Sequence, residues 1–284
     1  MKQIVVISGK GGTGKTVITA SLAALAQNKV MVDCDVDAAD LHLLLQPKIK
    51  ERHEFWSGKT AFIDSQLCQK CGRCVPACRF QAIADSYVVD PIACEGCGLC
   101  SNLCPYDAIQ MKENLAGEWL VSDTRYGSLV HAKLGIAEEN SGKLVAKVRQ
   151  VARDIAKRDK LDHVIIDGPP GIGCPVIASL SGVDCALIVT EPTLSGLHDA
   201  QRVLEVADHF KVPIKFVINK YDLNLEVTSQ IEDFCQSKGI PVIGKIAFDR
   251  RIVESMVAGK TIVEWETGPI REELVSIWKK LQTA

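Results

Sequence analysis

The chain has 284 residues, 47% of them hydrophobic, and a formal net charge of −2, enough apolar material for one large α/β domain or two smaller ones. Acidic and basic residues are interspersed, so no basic stripe points to nucleic acid and no polybasic segment to a membrane surface. The apolar runs are strand-sized, far short of the ~20 residues that cross a bilayer, and no signal peptide precedes the first strand; a cytoplasmic protein without a stable membrane anchor is expected.

The first apolar run, QIVVIS (3–8), leads into SGKGGTGKT, Ser8 to Thr16, where two fingerprints overlap. Gly9, Gly11 and Gly14 fit the G-x-G-x-x-G of a dinucleotide-binding turn, while Gly9 to Thr16 fit the P-loop pattern G-x-x-x-x-G-K-[ST]. A helical pattern over Lys15–Gln27 and a second strand, KVMVDCD (29–35), follow. Asp33 and Asp35 satisfy the dinucleotide pattern, which asks for a ribose-binding acid about 20 positions on. That reading gives Lys15 and Thr16 no purpose, whereas a P-loop needs an ammonium for phosphate and a hydroxyl for Mg²⁺. It also leaves HVIIDGPPG (163–171) unexplained, where a strand ends on Asp167 in the place of a Walker B carboxylate. A triphosphate is favoured over a nicotinamide cofactor.

More than a hundred residues separate the second strand from HVIIDG (163–168), too many for one crossover. Inside that gap a repeat appears at an offset of 26: CQKCGRCVPACRFQAI (68–83) aligns with CEGCGLCSNLCPYDAI (94–109), cysteine on cysteine and Gly72 on Gly98. Eight of the chain's 12 cysteines lie here, and in a reducing compartment such clustering means metal rather than disulfide. Each copy reads C-x2-C-x2-C-x3-C, the run in which three thiolates reach one [4Fe–4S] cluster and the fourth turns to its neighbour. The spacing assigns Cys68, Cys71, Cys74 and Cys104 to one cluster and Cys94, Cys97, Cys100 and Cys78 to the other. Paired zinc knuckles are the competing reading, but tetrahedral zinc asks for no such fourth-cysteine spacing. Three segments are expected: 1–58 as the first part of a P-loop domain, 59–113 as an inserted module, and 114–284 as the second part.

Beyond the insert, HVIIDG, CALIVT (185–190), IKFVINK (214–220) and IPVIGK (240–245) read as strands buried on both faces. Helical patterns at Gly142–Arg158, Gly196–Phe210 and Val227–Lys238 alternate with them, giving a doubly wound, mainly parallel α/β fold. Asn140 or Ser141 offers a helix N-cap, with Lys143 solvated and no role evident for His131. In the last segment Ile270, Leu274, Ile277, Trp278 and Leu281 share one face, which with balanced charges favours packing on the sheet over gripping a membrane. Cys34, Cys185 and Cys235 read as small buried hydrophobes, and Cys174, in PPGIGCPV, as a thiol with a minority claim to a relay role.

The motif KGGTGKT with its second lysine, Lys10, together with VDCDVDAADLH (32–42), DGPPG (167–171) and VINKYD (217–222), resembles the deviant Walker A ATPases: the division-site protein, plasmid-partition ATPases, the nitrogenase iron protein and Mrp-type cluster carriers. The cysteine run resembles bacterial two-cluster ferredoxins, except that Arg79 stands where a proline follows the fourth cysteine; Pro105 keeps it in the second copy. The whole chain resembles MinD-superfamily ATPases with an inserted ferredoxin α+β module. The resemblance implies that Gly9, Lys10, Gly11, Gly12, Thr13, Gly14, Lys15 and Thr16 bind ATP or ADP, with Lys15 on the β/γ-phosphates and Thr16 and Asp167 at Mg²⁺. It implies that Lys10 reaches a partner's phosphates across a nucleotide-bound dimer, homodimeric or with a paralogue. Asp35 matches the switch I aspartate, and Asp167 opens switch II, with Gly168 and Gly171 sensing the γ-phosphate. Asn219 is the residue such proteins set against adenine. Asn219, Lys220 and Asp222 also spell N-K-x-D, the guanine-reading motif, so GTP stays open beside ATP. The family's I-P-x-D loop is here Ile246, Ala247, Phe248 and Asp249, without its proline. Two functions follow: ATP-gated electron transfer through the two clusters to an unidentified redox partner, placed first, and an ATP-dependent switch or scaffold with sensing or structural clusters, placed second.

Overall fold

A computed structural model of the chain describes residues 1–36, 38–135 and 141–283. In chain order the strands are β1 (Lys2–Ser8), β2 (Lys29–Asp33), β3 (Lys48–Ile63), β4 (Ile109–Thr124), β5 (Gly127–Leu134), β6 (His163–Pro170), β7 (Cys185–Thr190), β8 (Ile214–Asn219) and β9 (Val242–Ile246). The helices are α1 (Lys15–Leu25), α2 (Leu41–Leu45), α3 (Cys74–Ala77), α4 (Leu99–Leu103), α5 (Ser141–Arg158), α6 (Cys174–Leu180), α7 (Leu194–His209), α8 (Leu225–Ser237), α9 (Arg250–Val257), α10 (Ile262–Trp265) and α11 (Pro269–Gln282). The chain divides into two compact units. The first comprises Met1–His53, Trp119–Lys133 and Ser141–Ala284, the second Glu54–Glu118 and Leu134–Asn140.

In the first unit the strands stand in the order β3-β4-β5-β2-β6-β1-β7-β8-β9, with β3 contributing up to His53 and β4 from Trp119. β1 pairs in parallel with β6 on one side and β7 on the other, and β2–β5, β2–β6, β7–β8 and β8–β9 are parallel as well. The chain steps from β1 to one side and returns to fill the other, so the strand order reverses at β1, where doubly wound sheets open a crevice at their C-terminal ends. The central strands are apolar without alternation because helices cover both faces: Ile4 to Ile7 are fully buried, as are Ala186 to Val189.

The six strands expected from the sequence are present; β3, β4 and β5 extend the sheet beyond them. β3 begins KIKERHE and is exposed through that stretch, so it carries no continuous apolar signal. Charge of this kind blunts a sheet edge. Of the two N-cap positions expected for α5, Asn140 lies outside the described residues, and the helix begins at Ser141. Elsewhere caps fix the starts: Thr193 accepts from Gly196 N at α7, Asn224 from Val227 N at α8, and Thr261 and Glu264 form a reciprocal capping box at α10.

The terminal helix α11 packs on the sheet as its pattern implies. Ile270, Leu274, Ile277, Trp278 and Leu281 join a cluster with Ile4, Ile165, Leu187 and Val217. Lys2 Nζ donates to Leu281 O at 2.8 Å and Lys215 Nζ to Lys280 O, so two strands supply cations to the helix C-terminus. No described helix is long and apolar enough to cross a membrane.

The second unit has a small core of Ala61, Cys74, Ile83 and Ile109. The sequence repeat persists in its backbone: positive φ recurs at the 26-residue offset in Lys70 and Gly96, Gly72 and Gly98, and Gln81 and Asp107.

Ile277 is fully buried and lies against Gly244, where no side chain fits between strand and helix. Ile277→Ala is expected to lower the unfolding free energy by about 2–4 kcal/mol, read from the urea midpoint at unchanged slope. A loss below about 1 kcal/mol would mean that α11 adds little to the core.

Candidate functional site

The loop between β1 and α1 lies at the C-terminal edge of the sheet. Gly12 and Gly14 hold φ of 78° and 88°, the handedness that turns consecutive backbone N–H groups into an anion-binding hollow. A Cβ on Gly14 would collide with the Asn219 amide, so glycine is required there on two grounds. Gly11 through Ile18 line a cavity of about 590 Å³ in the first unit, together with Asp35, Pro170, Asn219, Lys220, Phe248 and Ile252. Gly9 and Lys10 stand outside that lining.

Lys15 sets the chemistry of the cavity floor. Its ammonium is 3.1 Å from Asp167 Oδ1 and 3.7 Å from Asp35 Oδ2, and the residue is only 6% exposed. Burial alone would lower its pKa, but Asp167, Asp35 and Asp33 outweigh that and raise it, so the charge is held firmly. Thr19, one helical turn after Lys15, donates to Asp167 Oδ1 at 2.8 Å. Among the described residues, Asp167 Oδ2 and Thr13 Oγ1 are buried without a hydrogen-bond partner, and native structures rarely leave buried polar atoms so.

Asp33, across the ladder from Asp167, accepts from Asp35 N at 3.1 Å and Leu41 N at 3.2 Å. It is a loop anchor rather than a ribose acid. Burial, reinforced by the charge of Asp167, pushes its carboxyl well above the ordinary range. Thr16 lines the cavity beside Lys15.

At the other end, Asn219 Nδ2 donates to Thr13 O at 2.7 Å and Asn219 Oδ1 accepts from Lys220 N at 3.1 Å. Asn219 therefore pins the P-loop while also lining the cavity in which the resemblance sets it against adenine. Lys220 donates to Gly12 O at 3.1 Å and pins a second carbonyl. Asp222 Oδ1 accepts from Phe248 N at 2.7 Å, tying the β8 and β9 loops, and Asp222 is absent from the cavity lining. Lys10 forms an ion pair with Glu191 at 2.8 Å and donates to Thr193 and Ser195 hydroxyls.

In the second unit the eight cysteines fall into two groups. Cys68, Cys71, Cys74 and Cys104 line one small cavity; Cys78, Cys94, Cys97 and Cys100 line another. Burial pushes the Cys74 and Cys100 thiols up, and neighbouring thiols of the same group add to that. Among the described residues no three His, Cys, Asp or Glu side chains converge on a point that a single metal ion could occupy.

The remaining thiols are apart from both groups. Cys34, Cys185 and Cys235 are buried, and burial pushes the Cys235 thiol up to about 12. Cys174 is exposed at the start of α6 and lines neither cysteine cavity. His131 bonds Ser122 at 2.9 Å, and burial lowers its pKa to about 4.

The sequence does not single out Thr19 or Glu191, and it offers Asp33 only as a ribose-binding acid. Thr19 had a signal, its i+4 spacing from Lys15 on α1; Glu191 had none short of the fold.

Residues 4–262 match the family model described as the CobQ/CobB/MinD/ParA nucleotide binding domain. The chain is 35% identical over 283 residues to an uncharacterized protein, MJ0578, of Methanocaldococcus jannaschii, covering 99% of this chain and 96% of that one. It is 27% identical over 271 residues to the septum site-determining protein MinD of Synechocystis, covering 92% and 81%. Its fold is similar to that of MinD complexed with Mg-ADP from Pyrococcus horikoshii, with a TM-score of 0.61 at 17% identity, covering 99% and 96% of the two chains. A crevice at the strand-order reversal, a P-loop at its edge and a family model spanning most of the sequence agree, and the chain belongs to the CobQ/CobB/MinD/ParA nucleotide-binding family, as a P-loop ATPase.

Proposed function

We propose that this protein is an ATP-dependent switch whose second unit carries two [4Fe–4S] clusters. The observation that supports the switch is Lys15, buried between Asp167 and Asp35 at the floor of a cavity rimmed by the P-loop. A triphosphate would draw that ammonium toward its β/γ-oxygens, and the P-loop N–H groups would cradle the same anion. Thr16 and Asp167 would hold Mg²⁺; the unpartnered Asp167 Oδ2 fits that task. Magnesium, when bound, supplies neutralising charge to the phosphates. Asp35, which lines the cavity, would orient a hydrolytic water. Adenine is favoured over guanine because Asp222 is engaged by Phe248 N and the base end is walled by Ile246, Phe248 and Ile252.

For the clusters, the support is that each cysteine cavity is lined by four thiols in the partition that the spacing assigns. The exposed Cys71 and Cys97 put one thiol of each set at the surface. When bound, such a cluster supplies one-electron chemistry. The relatives that match along most of the chain include septum site-determining and uncharacterized proteins, while one matched over about half of it is an iron-sulfur cluster carrier protein, so the switch stands ahead of ATP-gated electron delivery, which is kept as the second reading. The partner would be a second copy or a paralogue.

Lys15→Ala should abolish Mg-ATP binding by calorimetry and lower phosphate release at least about 100-fold. With wild type, an ATP-dependent change in reduction of a low-potential acceptor, absent in Lys15→Ala, would move electron delivery to first place. Lys10→Ala should retain nucleotide but lose ATP-dependent self-association; an unchanged ATP-bound sedimentation coefficient would count against a cross-subunit role. Anaerobically prepared protein should hold about eight iron and eight sulfide, and Cys100→Ser about half the iron, by elemental analysis and electron paramagnetic resonance. Zinc in place of iron would remove the clusters from the proposal.

A further inference from the structure

Lys10, the second lysine of the P-loop motif, does not point at the cavity; it is held by the loop between β7 and α7. Its ammonium is 2.8 Å from Glu191 Oε1, 3.2 Å from Thr193 Oγ1 and 3.0 Å from Ser195 Oγ. The other carboxylate oxygen, Glu191 Oε2, lies 3.0 Å from Lys220 Nζ, and Lys220 in turn donates to Gly12 O at 3.1 Å. One carboxylate thus gathers two ammonium groups, one from the phosphate loop itself and one from the end of β8. It is rigidly presented: Gly196 leaves no room for a Cβ beside the Glu191 carbonyl, and Thr193 caps α7. Although burial acts to raise the Glu191 carboxyl, the two lysines hold it below its ordinary value, so it is charged at neutral pH.

We propose that Glu191 is a positioning residue of the nucleotide site, which keeps Lys10 within its own chain and competes with nucleotide phosphate for that ammonium. Before Lys10 reaches any phosphate, it must leave Glu191. The geometry makes that release easy. Both partners are partly exposed, with Lys10 at 30% and Glu191 at 16%, so the pair is screened. Glu191 also keeps Lys220 when Lys10 departs, so no carboxylate is left without a cation. A triphosphate, bearing more charge than one carboxylate, wins the exchange, whereas an empty or weakly charged site leaves Lys10 parked. Glu191 therefore sets the threshold at which nucleotide recruits Lys10, with Lys220 keeping its grip on the P-loop throughout.

This inference rests on the cavity being the Mg-ATP site, and the test separates the two. Mg-ATP affinity is measured by calorimetry for wild type, Glu191→Gln, Lys10→Ala and the double variant, at low and moderate salt. Glu191→Gln keeps the shape and removes the charge. It is expected to tighten Mg-ATP binding about threefold to fivefold in the wild-type background, with a shallower salt dependence, and to change nothing when Lys10 is already alanine. Ser195→Ala, which removes one Lys10 acceptor and leaves Lys220 untouched, should shift affinity in the same direction by a smaller factor, and it stands in should Glu191→Gln fail to fold. Equal effects of Glu191→Gln with and without Lys10, weaker binding, or no change in either variant would overturn the role of Glu191. Failure of wild type itself to bind Mg-ATP would instead overturn the reading of the cavity.

Discussion

The nucleotide site depends on one buried ion cluster. Lys15 lies between Asp167 and Asp35, with Thr19 donating to Asp167, in surroundings where isolated charges would be too costly to keep. Asp35 follows β2, Asp167 lies within β6 and Lys15 opens α1, so the cluster ties β2, β6 and α1 together. Because the attraction is spread over more than one carboxylate, the ammonium can be drawn toward phosphate without abandoning all its partners. A cation arriving beside Asp167 would replace the charge that Lys15 withdraws. The cluster is in this sense balanced for exchange.

A second set of constraints holds the phosphate loop itself. Asn219 and Lys220 bond the carbonyls of Thr13 and Gly12 from the end of β8, while Gly12 and Gly14 adopt positive φ. With these carbonyls turned outward onto fixed donors, the loop's N–H groups are left for an anion. Asp222 extends the same brace to the β9 loop through Phe248 N. N-K-x-D here braces the ends of β8 and β9 against the phosphate loop.

The P-loop, the buried parallel strands and the cysteine repeat were legible in sequence because each is a short, local pattern: continuous Val and Ile runs, glycines at fixed steps, a 26-residue echo. What escaped is non-local. β3 carries charges along an exposed edge, so its residues announce solvent rather than pairing. The bond from Asn219 to Thr13 O depends on what stands across the crevice from β8, which spacing within one strand does not announce. Glu191 lies 181 residues from Lys10, and only the fold brings the two to 2.8 Å.

The second unit raises a different physical question, since its core of Ala61, Cys74, Ile83 and Ile109 is small for a segment reaching from Glu54 to Glu118. Units with so little buried apolar area need staples. Among the described residues the thiols are free, and eight of them line two cavities that flank this core. Under the proposed ligation, each set draws its fourth cysteine from the other copy of the repeat, Cys104 for one and Cys78 for the other. Neither half could then close its site alone, and metal binding and folding of the unit would be one event. Such an exchange of fourth cysteines would explain why the repeat occurs as a pair, since a single copy would leave one site a ligand short and its own last thiol unused.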